Sequence, residues 1–196
     1  MPRLLKNPLV VSVYLISVLF ATAYFTVYSY IEPFLKLVAQ FSANGITSTL
    51  MLLGVSGLIG SYIFSHFYNH YRYGIIRLGF IGLVSMLSLW QLASSQWEWM
   101  LAVCLILGCS STLFNVTFQA ELIRQVPSGA TPVAMSIFSG IFNVGIGLGT
   151  WIGGRTMAYG FLPYIATSVP ALDCWLSSTA LRLISTSWAP RFHLHE

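Results

Sequence analysis

Apolar residues in this chain do not alternate with polar ones; they run in long blocks separated by short polar or basic connections. A hydrocarbon layer of about 30 Å is crossed by roughly 20 apolar residues in helical form, because lipid offers the backbone amides and carbonyls no partner outside the helix itself. Six blocks reach that length, at about 8–30, 46–67, 73–92, 97–120, 132–154 and 161–184. The pattern predicts an all-α membrane protein in which residues 1–196 form one six-helix transmembrane domain. Asn7 followed by Pro8 reads as an N-cap with proline at the first helical position, and Thr131-Pro132 repeats the device. Pro33 falls just past the first block, the turn Ser42-Ala43-Asn44-Gly45 precedes the second, and Tyr71-Arg72 joins the second and third into a hairpin. The sixth block is interrupted by Pro163, Pro170, Asp173 and Arg182, each of which makes insertion less favourable. Asp173 and Arg182 are about two and a half turns apart and out of reach of each other on a straight helix.

Composition agrees with burial in lipid. Hydrophobic residues make up 56% of the chain and charged residues only 7%, whereas a soluble domain needs about a quarter charged to keep its surface wet. The net charge of +4 does not indicate nucleic acid, since the Lys and Arg residues are scattered between apolar blocks rather than clustered on one face. Their distribution carries topology instead. With six crossings, Arg3, Lys6, Arg72, Arg77, Arg124, Arg182 and Arg191 fall on one side and Lys36 and Arg155 on the other, which predicts cytoplasmic termini. Trp90, Trp97 and Trp99 around the third connection suit an aromatic belt at the outer interface. Cys104, Cys109 and Cys174 lie inside apolar blocks without CxxC spacing and read as small packing residues, supporting neither a disulfide framework nor a metal site. Nothing calls for a cofactor.

Polar side chains inside spans are costly, so those that share a helical face are the most informative positions. Tyr14, Ser17, Ala21, Tyr24 and Tyr28 recur at steps of three and four in the first span. Thr112, Asn115 and Gln119 do so in the fourth, and Ser136, Gly140, Asn143 and Gly147 in the fifth. Two readings stand: a water-accessible path for a polar solute, or hydrogen bonding between helices. Glu32, at the outer end of the first span, is a candidate proton-coupling acid or else a solvated residue paired with Lys36 one turn away. The fifth span's Gly140, Gly145, Gly147, Gly149, Gly153 and Gly154 allow close helix approach or flexing, and Gly54, Gly57 and Gly60 suggest a similar seam in the second. Gly54-Val55-Ser56-Gly57 matches the GxSG nucleophile pattern of rhomboid proteases, but His66, His70, His193 and His195 all lie at or beyond span ends, so no general base is placed to activate Ser56. His66 and His70, one turn apart, lack a third metal ligand nearby. No catalytic residue and no metal site is expected.

Two stretches carry a family resemblance: Tyr28-Ser29-Tyr30-Ile31-Glu32-Pro33-Phe34-Leu35 followed by Phe41-Ser42-Ala43-Asn44, and the run from Val133 to Gly147. They resemble the bacterial sugar efflux transporters of the major facilitator superfamily, specifically the C-terminal six-helix half, over about residues 4–155. The resemblance implies proton-linked export of sugars such as arabinose or lactose, or of related small molecules, through the bacterial inner membrane. It carries the tyrosine-rich seventh helix and its acid over to Tyr24, Tyr28 and Glu32, and assigns Gln119 and Asn143 to matching positions in the tenth and eleventh helices. The connection 60–74 departs from the superfamily's gating motif, with Ser65 and His66 where an acid is expected, so a salt bridge in that loop is not expected. Such exporters hold two six-helix halves about a midplane site, which makes a second half or a homodimer an expected partner. The competing expectation is an inactive six-helix remnant that binds other membrane proteins through its glycine seams.

Overall fold

A computed structural model describes residues 7–165, and among these all regular structure is helical. Helix α1 spans Pro8–Tyr28, a short α2 Ile31–Leu37, α3 Ala43–Ala93, α4 Trp97–Gln125 and α5 Thr131–Ala158. Non-helical torsions at Tyr71 (φ −127°, ψ 41°) break α3 into two limbs. Five helical stretches among the described residues are long and apolar enough to cross a membrane: Pro8–Leu37, Ala43–Phe67, Arg72–Trp90, Trp97–Gln125 and Ser128–Ala158. The sixth expected span lies almost wholly outside the described residues; its first few positions form a 3-10 turn, Leu162–Tyr164, after Gly160 reverses the chain at φ +75°.

Local signals explain the helix ends. The Asn7 side chain accepts from Leu9 N at 3.1 Å, as a cap ahead of Pro8 should. Ser42 caps α3 by accepting from Gly45 N at 3.2 Å, so the expected turn 42–45 is instead the first helical turn. The expected cap at Thr131 is not made: α5 already includes Thr131, whose hydroxyl donates to the Pro127 carbonyl one turn back. Pro33 lies past the end of α1, as expected, and sits in the first turn of α2, where a missing amide hydrogen costs little.

The pairing of helices follows from which residues meet. Along α3 and α4, Gly45 lies beside Trp97, Gly108 against Ser56, and Tyr68 reaches Glu121, so the first limb runs parallel to α4. Past Tyr71 the order inverts, with Arg72 on Glu121, Gly79 on Phe114 and Gly82 on Ser110. The limbs are therefore an antiparallel hairpin folded over α4. Likewise α1 runs parallel to α5: Tyr14 donates to the Ala134 carbonyl at 3.0 Å, Gly145 faces Val18 and Ala21, and Gly153 faces Thr26 and Tyr30.

The glycine series of α5 divides by face. A Cβ at Gly145 would lie 2.7 Å from the Val18 carbonyl oxygen, and one at Gly153 would lie 2.7 Å from that of Thr26. Gly149 is equally tight against Thr22. These three, one turn apart, let α1 and α5 approach backbone to backbone. Gly140 and Gly147 have no heavy atom within 4 Å of that position and lie on the exposed side. In the first limb of α3, Gly57 and Gly60 meet Thr112 and Cys109 of α4, whereas Gly54 faces open space. The same division corrects the aromatic belt: Trp97 and Trp99 are exposed, but Trp90 is fully buried with its ring 5.5 Å from that of Phe34.

Candidate functional site

The polar face of α1 serves two purposes. Its N-terminal part is packing: Tyr14 ties α1 to α5, Ser17 donates to its own Val13 carbonyl at 2.7 Å, and Ala21 seats Gly145. Further along, Tyr24 lines a groove of about 210 Å³ between α1, α4 and α5, with Ser111, Thr112 and Asn115 across from it and Phe20, Phe25 and Phe142 as apolar walls. The Phe20 ring stacks on Phe114 at 4.0 Å between centroids and on Tyr24 at 5.8 Å, and Tyr24 stacks on Tyr28 at 5.3 Å. A continuous aromatic ladder thus leads from the interior to exposed Tyr28. Among the described residues the groove presents a phenol, an amide and two hydroxyls, groups able to hydrogen-bond a neutral polar solute but offering no counter-charge to an ion.

Of the residues expected in a solute path, Tyr24 and Asn115 are brought together here. Gln119 stands one turn from Asn115 and donates its amide to the Asn115 side-chain oxygen, which orients that side chain beside the groove. Tyr28 joins through its stack on Tyr24. Asn143 lies elsewhere: it is exposed on the outer face of α5 and donates to the Ser139 carbonyl at 2.8 Å, with Ser136, Gly140 and Gly147 on the same exposed face. Glu32 is exposed on α2, apart from the groove, and among the described residues forms no ion pair with Lys36.

At the opposite end of the bundle from α2 lies a cluster that the spacing of polar residues did not indicate. Glu121, near the end of α4, has a side chain only 2% exposed, and its two carboxylate oxygens accept from Nε and Nη2 of Arg72 at the α3 reversal. The Tyr68 hydroxyl donates to the same carboxylate at 2.8 Å. Arg124 lies over the Tyr68 ring at 5.4 Å and reaches Asn69. Burial first, and then the bond to Glu121, holds the Tyr68 phenol above its ordinary range, so it remains a donor. A buried carboxylate requires such compensation, and the two-pronged guanidinium contact is its strongest form. The sequence did carry one signal: an acid directly after an apolar run, with an arginine at the hairpin connection. The expectation of no salt bridge at that connection is corrected accordingly, because the acid arrives from α4 rather than from position 65 or 66.

Ser56 is a packing residue. It is fully buried, donates to the Leu53 carbonyl at 2.7 Å and presses on Gly108, and among the described residues no side-chain base is in hydrogen-bonding contact with it. His66 stacks on Tyr62, its ring centroid 5.0 Å away, on the exposed side of the first limb.

Residues 1–150 match the family model of the Major Facilitator Superfamily. The chain belongs to that superfamily. This major facilitator protein is accordingly a multi-pass membrane protein of a transporter family, with lipid against its outer faces. The basic residues fall at two ends: Arg72 and Arg124 share one end of the bundle, whereas Arg155 lies near the turn at Tyr30 that leads into α2 and Lys36.

Proposed function

We propose that this major facilitator protein moves sugars or related small neutral molecules across a bacterial inner membrane, outward and in exchange for protons. The observation that carries the sugar reading is the groove holding Tyr24, Ser111 and Asn115 between stacked aromatic rings. Neutral hydrogen-bonding groups beside aromatic faces suit a ring with hydroxyls on its edge and C–H bonds on its faces. The groove is open along one side, and alternating access needs an opposing wall, for which we propose a second helical bundle, either another six-helix half or a second copy of this chain. The end holding Arg72 and Arg124 is assigned to the cytoplasm by the positive-inside rule, with both termini on that side. Glu32, exposed on α2, is the coupling acid that the family resemblance names.

The test is accumulation of labelled arabinose in cells with and without the chain, with Asn115→Ala and Glu32→Gln alongside. Lower accumulation with the chain, lost in Asn115→Ala, is expected. Accumulation unchanged by a chain shown to be inserted overturns the exporter reading. One observation favours a second reading, a non-transporting membrane partner: the face of Ser136, Gly140, Asn143 and Gly147 is exposed and small enough to seat another helix.

A further inference from the structure

We propose a second carbohydrate or polyol subsite at the α2 end of the bundle, separate from the groove. There, a cavity of about 490 Å³ opens between the α2–α3 connection and the start of α4, lined by Gln40, Phe41, Ser42, Asn44, Ser48 and Trp97. Three features define what it takes. Among the described residues no charged side chain lines it, which favours a neutral ligand. Two amides and two hydroxyls supply donors and acceptors in both senses, and among the described residues Gln40, Asn44 and Ser48 spend none of their side-chain groups on the protein. Trp97 is 46% exposed beside Gly45 at the first turn of α3, a flat apolar surface against which the C–H face of a sugar ring packs.

The connection is also strained where it forms the wall. Gln40 holds φ at +54°, in the left-handed region that side chains other than glycine seldom adopt. Trp97 and Ser111 are fourteen residues apart on α4, about 21 Å along the helix at 1.5 Å per residue, so one small ligand cannot span both places. The subsite deepens the sugar reading by giving the same ligand class a station near one membrane surface, and it rests on that reading only for the choice of probe.

The experiment is ligand protection of cysteine labelling on the full chain, in membranes opened by freeze–thaw so that both surfaces are reached. Ser48→Cys places a thiol in the cavity, and Glu98→Cys, exposed on α4 outside the lining, is the control. Maleimide labelling over that of the parent chain is followed with and without arabinose, and with gluconate as an anionic comparison. By mass action, ligand at three times its Kd slows labelling of Ser48→Cys about fourfold. Glu98→Cys should be unaffected and gluconate ineffective. Asn44→Ala or Trp97→Ala, added to Ser48→Cys, should abolish protection, and Trp97→Phe should restore part of it. Labelling of Ser48→Cys that arabinose does not slow, or protection that survives both Asn44→Ala and Trp97→Ala, overturns the proposal. Protection in a chain that fails to lower cellular arabinose keeps the subsite and removes the exporter reading; export without protection does the reverse.

Discussion

Arg72 and Glu121 meet in a two-pronged ion pair that closes the hairpin of α3 onto the end of α4. Glu121 is nearly inaccessible and Arg72 is mostly covered, so removing one partner leaves a buried charge without compensation. Glu121→Ala or Arg72→Ala should each lower stability by about 3–5 kcal/mol, the usual cost of breaking a buried pair from one side. The double replacement by leucine should cost clearly less than the sum of the single changes. Thermal unfolding of the solubilised protein measures all of these; additive losses would remove the pair's coupling.

Tyr68→Phe tests the same cluster more gently. The phenol donates to Glu121 and supports Arg124 through its ring, and phenylalanine keeps only the ring. A loss of about 1.5–3 kcal/mol is expected, in line with one hydrogen bond to a charged acceptor. Tyr68→Leu should cost more, since it also removes the surface beneath Arg124.

The glycines of α5 should respond by face. Gly145→Leu and Gly149→Leu drive side chains into the backbone of α1 and should separate the two helices, costing at least about 3 kcal/mol or blocking accumulation of folded protein. Gly140→Ala and Gly147→Ala meet open space and should stabilise by up to about 1 kcal/mol through helix propensity. Melting temperatures in detergent separate the two groups; equal effects would overturn the division.

Asn115→Ala should reduce solute movement far more than Asn143→Ala, because Asn115 lines the groove and Asn143 is bonded to Ser139 on the outside of α5. Gln119→Ala should act through Asn115, weakening apparent affinity more than maximal rate, since it loses only the group that orients the amide. Initial rates of labelled-sugar movement across a concentration series distinguish these outcomes.

Ser56→Ala should be nearly neutral, within about 1 kcal/mol, because among the described residues the hydroxyl bonds only to its own helix. Ser56→Leu should collide with Gly108 and destabilise strongly. Proteolysis assays on the two variants would expose any nucleophilic role as an activity lost in Ser56→Ala despite intact folding.

Periodicity revealed the spans because lipid imposes length and apolarity directly on sequence; the limits of α1, α4 and both limbs of α3 lie within a few residues of expectation. Asn7 was legible as a cap because the Asn-Pro signal is local, whereas Thr131 was misread because a 3-10 turn at Ser128–Ala130 draws its hydroxyl backward. The groove was half legible. Helical spacing placed Tyr24 and Asn115 on polar faces, but which faces meet depends on pairing between distant helices, and for Asn143 that pairing points outward. Glu121 escaped notice because its partner lies 49 residues away, at a reversal whose position no helical repeat encodes.

The parallel pairing of α1 with α5 has a consequence for how the protein is made. Tyr14 finds its acceptor 120 residues later in the chain, and Thr22 and Thr26 wait as long for the glycines that cover them. During synthesis α1 therefore enters the bilayer before the acceptor of Tyr14 is made, whereas the hydroxyls of Ser17, Thr22 and Thr26 already bond carbonyls of α1 itself. Slowing translation between α4 and α5 should therefore raise the fraction of chains degraded before they assemble.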